Sequence, residues 1–167
     1  MIAETLVFVV GNLPAFLFAA ALLTAMLRKN PSWSMPERYL SWILLLPVGV
    51  TGLWAAAFHL LLPSVAARLI GWQTSPFQFE VGMADLAIGA TAVASFWCSL
   101  SFKAAAVWAA SIFLLGDAVG HVHQMIAAGN FAPGNAGVPF FTDVICPALS
   151  IVLLLAAVRH DRRHGKP

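Results

Sequence analysis

Residues 104–126 read AAAVWAASIFLLGDAVGHVHQMI, apolar almost throughout, with Asp117 as the sole formally charged side chain. Crossing a hydrocarbon core of about 30 Å takes a helix of roughly 20 mostly apolar residues, and this stretch meets that length. Four further stretches come close to it: residues 6–27, 39–62, 79–100 and 140–158. The expectation is an all-α fold, an integral membrane bundle of five transmembrane helices, with residues 1–167 forming a single transmembrane domain. The longest connection, from Pro63 to Gln78, is too short for a soluble domain and reads as an interfacial segment rich in Trp72, Pro76 and Phe77.

Composition supports this. Hydrophobic residues make up 60% of the 167-residue chain and charged residues 10%, against about a quarter charged in soluble domains. The mean hydropathy is +0.86. A soluble domain of this size needs more polar surface, whereas a bundle in lipid is apolar outside as well. Cys98 and Cys146 sit in apolar surroundings without metal-binding spacing and read as small packing residues. The N-terminal MIAET carries Glu4 and no Lys or Arg, and Arg28 and Lys29 follow the first apolar run. A cleaved signal has the reverse order, so the first stretch reads as a retained helix.

Orientation comes from basic residues in short loops. One side holds Arg28, Lys29 and Arg38 in RKNPSWSMPER, Lys103 in a tight SFK turn, and Arg159, Arg162, Arg163 and Lys166 in the tail RHDRRHGKP. The other side holds Arg68 alone, so the count is 8 against 1. This places the N-terminus outside and the C-terminus in the cytoplasm of a multi-pass protein of the bacterial inner membrane. The basic tail serves as an anchor at anionic headgroups, with no nucleic-acid partner implied. Stretches such as GMADLAIGATAVAS and AAAVWAAS allow backbones to approach closely. Pro14, Pro47 and Pro147 lie within or near spans, where each removes a backbone donor.

The ionisable residues of the spans share the outer half of the membrane. His59 lies near the outer end of the second span, Glu80 and Asp85 at the start of the third, Asp117 and His121 in the outer half of the fourth, and Asp143 at the start of the fifth. Asn12 and Gln124 lie at similar depth as neutral partners. Asp117, His121 and Gln124 follow one another at i, i+4 and i+7 and share a helix face, whereas His123 points about 200° away. Asp117 sits roughly 14 Å below the outer end of its helix, and Asp85 about 8 Å below that of its own. Buried carboxyls and imidazoles cost several kcal/mol unless they face partners or a wet cavity, so these residues are expected to converge.

Three readings compete for this cluster. It is a hydrogen-bonded knot that fixes packing; or it binds a metal ion or relays protons, with a transition metal as the implied cofactor; or it performs acid–base chemistry on a lipophilic substrate. No HxxxH or HExxH pair joins the cluster, and no nucleophile motif occurs, so the chain is not assigned as an enzyme. The reading carried forward is binding or passage of a small ligand or ion at an outward-facing polar pocket. Its alternatives are an accessory subunit of a membrane complex and a membrane enzyme.

The stretches GWQTSPFQFEVGMADLAIG and SIFLLGDAVGHVHQMIAAGNFAPGNAG resemble a family of small bacterial membrane proteins known only as a domain of unknown function. SPFQFEVG, Gly120 with His121, and GNFAPGNAG carry the likeness, which covers the second to fifth spans. It implies a multi-span membrane protein and assigns no site residue. A looser likeness to DoxX-type small membrane proteins rests on size and helix number, which carry no function.

Overall fold

The computed structural model describes residues 2–165, without the side chains of residues 2–7 and 10. Lys166 and the side chain of Glu4 therefore lie outside the described residues. The order is α1 (Ile2–Leu27), α2 (Met35–Ile43), a π-helical turn (Leu44–Val50), α3 (Thr51–Leu61), α4 (Pro63–Ile70), α5 (Phe77–Ser95), α6 (Leu100–Ala128), α7 (Pro133–Ala136) and α8 (Val138–Arg163). Among the described residues the fold is all-helical, without strands. Three segments are long and apolar enough to cross a membrane: Met35–Leu61, Leu100–Ala128 and Pro133–Arg163. Helix α1 has 26 residues, of which the described stretch Gly11–Leu27 is apolar. Helix α5, with 19 residues and both Glu80 and Asp85, does not join the three.

The α2–π–α3 rod packs against α1, α5 and α8, and α6 packs against α8 and α5. Pro47 falls inside the π-helical turn, a wider coil that absorbs the missing backbone donor within an otherwise continuous rod. Just beyond it, small residues form a close seam between this rod and α5. A Cβ on Gly89 of α5 would meet Leu53 N at 2.8 Å and Gly49 O at 3.0 Å. One on Gly52 would meet Gly89 Cα at 3.0 Å. The close backbone approach expected from GMADLAIGATAVAS is thus located at Gly89. On the outside, Leu23, Met26, Ile112, Val119, Ile126, Val152 and Leu155 are exposed. Apolar surface on that scale suits hydrocarbon rather than water.

Within the segment 63–78, α4 starts with Pro63 in its first turn, where a missing N–H costs nothing, and closes on Gly71 at φ 75°. The turn between α5 and α6 is Phe96–Ser99 rather than SFK. Ser99 caps α6, its Oγ accepting a bond from Phe102 N at 3.4 Å, so Ser101, Phe102 and Lys103 form the helix's first turn. Cys98 lies in that turn instead of inside a span, while Cys146 is buried in the core.

Starting α6 early turns Lys103 inward. It is 0% exposed, its Nζ donates to Glu37 Oε1 at 2.9 Å, and it lies 4.5 Å from the centroid of the Trp33 ring. The expectation of Lys103 as an exposed loop charge is corrected. Its partner also departs from local pattern: in Ser34-Met-Pro-Glu37 the Ser34 Oγ accepts from Glu37 N at 3.3 Å, as in a capping box, but the carboxylate goes to Lys103. Leu40, Leu44, Ala106, Val107 and Leu154 pack beside the pair.

Candidate functional site

At the bundle end opposite Lys103, the helices surround a cavity of about 330 Å³. That is within the usual size range of small-molecule sites. Its walls are mostly apolar, with Trp54, Phe58, Ile88, Phe113 and Leu114 among them. Into this space come His59 of α3, Asp85 of α5, Asp117 and His121 of α6, and Asp143 of α8. The three carboxyls of Asp85, Asp117 and Asp143 border the same space. Thus five of the six candidate ligands named from sequence share one cavity.

The others are placed elsewhere. Glu80 is exposed and does not line the cavity. Five residues separate it from Asp85, about 140° around a helix, so the two cannot share a face. In the first turn of α5 its carboxylate instead complements the helix N-terminus. Asn12 is absorbed by its own helix, its Nδ2 donating to Phe8 O at 2.8 Å. Gln124 lies in the last full turn of α6, where its carbonyl accepts from Asn130 N at 3.2 Å, and its side chain does not line the cavity. His123 is exposed, on the far face.

His121 is held by a residue that was not among the candidates named from sequence. The loop GNFAPGNAG folds back over the cavity end, and Asn135 within it is 0% exposed. Asn135 Oδ1 accepts from Trp72 Nε1 at 2.9 Å, while its Nδ2 donates to His121 O at 3.2 Å and to Asn130 O at 2.9 Å. Those three bonds fix which amide atom is oxygen, because an indole N–H only donates and carbonyls only accept. His121 Nδ1 lies 2.8 Å from the same Oδ1 and therefore carries a hydrogen. In neutral His121, Nε2 is then the bare nitrogen. It faces Asp143, with Oδ2 at 3.6 Å, electrostatic contact rather than a hydrogen bond. The same logic applies to His59, whose Nδ1 sits 3.3 Å from Gln78 Nε2, an amide that also donates to Pro63 O at 2.8 Å.

The loop itself is docked on α4. Asn130 Nδ2 donates to Ile70 O at 2.9 Å, and a Cβ on Gly134 would meet Leu69 O at 2.6 Å, so only glycine lets α7 lie against α4. Asn130, Asn135 and Trp72 are thus site-forming residues, none of them among the candidates named from sequence. For a metal, the geometry is unfavourable: among the described residues no group of three or more His, Cys, Asp or Glu is arranged to hold an ion. The arrangement offers a mostly apolar chamber with carboxyls, a bare imidazole nitrogen and a fixed hydrogen-bond frame behind it.

A family of unknown function, DUF6790, matches over residues 11–163, a wider span than the stretches that suggested such a family and one that takes in most of α1. No curated protein and no solved structure matches the chain.

Proposed function

We propose, from the premise that the chain belongs to the DUF6790 family of unknown function, that it is a membrane protein whose cavity binds a small molecule reaching it from outside the cell. In this reading the protein crosses a bacterial inner membrane five times, α1 and α5 completing the set of the three longer spans. Basic residues assign the ends. Arg28, Lys29, Arg38, Arg159, Arg162 and Arg163 flank the end where α1 stops, α2 starts and α8 stops, and Arg68 is at the cavity end. Short cytoplasmic loops collect Lys and Arg, so the cavity faces outward.

The observation that carries the reading is the convergence of Asp85, Asp117, Asp143 and His121 on one space large enough for a ligand. A knot whose role is packing would pair its polar groups and close the space between them; here they border a chamber. An accessory subunit would need a flat apolar face and no chamber behind the α6–α8 loop. An acid–base enzyme would use the same residues, with His121 Nε2 as the proton acceptor.

The test is access. With Cys98 and Cys146 replaced by Ala, Thr51→Cys puts one thiol on the cavity wall. A membrane-impermeant methanethiosulfonate should label it in intact cells. Labelling confined to inside-out vesicles would reverse the orientation, and no labelling from either side would remove the open cavity on which the proposal stands.

A further inference from the structure

The lining narrows the class of molecule that fits. It includes three carboxylic acids and no Lys or Arg; His59 and His121 are its basic side chains. Asp85 is 9% exposed, and among the described residues its carboxyl makes no hydrogen bond although it borders the chamber. A buried polar group left unpaired is costly, so an unpaired carboxyl at the wall of a chamber marks where a ligand's polar end belongs. The rest of the wall is apolar, and Trp54, Phe58, Trp72 and Phe113 bring aromatic rings to it.

Each candidate class meets these facts differently. An anion would be set among three acids. A neutral hydrocarbon would fill the walls and leave Asp85 as it is. A bare metal ion lacks a converging ligand set among the described residues and would leave the apolar walls unfilled. A molecule with an aromatic or aliphatic body and one ammonium-type charge satisfies both: its body lies on the walls, its charge meets the acids, and aromatic faces attract cations as well. We infer that the cavity takes a lipophilic organic cation, recognised by Asp85, Asp117 and Asp143 together with the aromatic wall. This rests on the reading of the cavity as a ligand site and adds its chemistry.

The experiment compares three small probes of matched size on unaltered protein in nanodiscs, with protein-free nanodiscs as blank, by titration calorimetry. They are benzyltrimethylammonium, its uncharged isostere neopentylbenzene, and the anion phenylmethanesulfonate. The expected result is saturable binding of the cation, tighter than either other probe by about tenfold or more. Asp85→Asn and Asp117→Asn, which keep side-chain shape, should each weaken the cation by a similar factor and leave neopentylbenzene unchanged. Equal binding of the cation and its isostere would overturn the cation assignment while leaving a ligand cavity in place. No binding by any probe would overturn it too, and Thr51→Cys labelling then separately decides whether the cavity is open. Because the three-probe comparison uses the unaltered chain, it does not depend on either variant folding.

Discussion

The most informative single residue is Asn135, and it looks ordinary in the sequence. It is one of several turn formers in NFAPGNAG, and spacing alone does not separate it from Asn130. Its role exists only because α7 folds back onto α4 and carries it to His121, a contact across 14 positions that no local pattern encodes. By contrast Asp117 and His121 were legible, because i, i+4 spacing on an apolar helix fixes a shared face before any packing is known. The frame makes a prediction about a proton. Ring-nitrogen NMR of histidine-labelled protein, read above the ordinary imidazole titration range, should show His121 with hydrogen on Nδ1 and a bare Nε2. Asn135→Ala should average the two nitrogens and cost roughly 1–3 kcal/mol, the usual penalty for a buried donor left unpaired. A parent spectrum with hydrogen on Nε2 would refute the network.

Helix positions were legible because long apolar runs alternate with short polar connections, and their ends were less so because the caps lie in polar residues that read equally well as loop. Ser99 decides the start of α6, and with it the fate of Lys103: as an exposed turn residue it is a topology signal, as the fourth residue of a capped helix it is a buried cation. The pair it forms with Glu37 joins α6 to α2 at the end far from the cavity, a polar link that counting charges in loops could not reveal. A buried ion pair is weak as a source of stability, but breaking one side strands the other charge in the core. Glu37→Gln should therefore destabilise the detergent-purified protein by about 3–5 kcal/mol, whereas Glu37→Leu with Lys103→Met should recover most of the loss. Thermal unfolding of the three proteins checks this. A double variant as unstable as the single one would mean that the pair does more than neutralise itself, for instance by stacking Lys103 under Trp33.

At the scale of the whole molecule, neither composition nor the count of basic residues gives the number of crossings. Three segments meet the length and apolarity of a span unaided, and α5 carries two acids within its 19 residues. The reason α5 falls short is also why it matters: Asp85 faces the cavity, so the helix has a polar inner side and depends on neighbours to sit in lipid. The glycine seam at Gly49, Gly52 and Gly89 holds it against the α2–π–α3 rod, which supplies that shelter. If α5 crosses, the segments before and after it lie on opposite sides of the membrane. Single cysteines on a background without Cys98 and Cys146 can read this: Thr74→Cys before α5 should react with an impermeant maleimide on intact cells, and Pro31→Cys between α1 and α2 only after permeabilisation. A cysteine replacing Phe96, just after α5, should behave like Pro31→Cys. Reaction of the Thr74 and Phe96 positions from the same side would take α5 out of the set of crossings, and the acids it shares with α6 and α8 would then belong to an interfacial groove rather than a chamber within the bilayer.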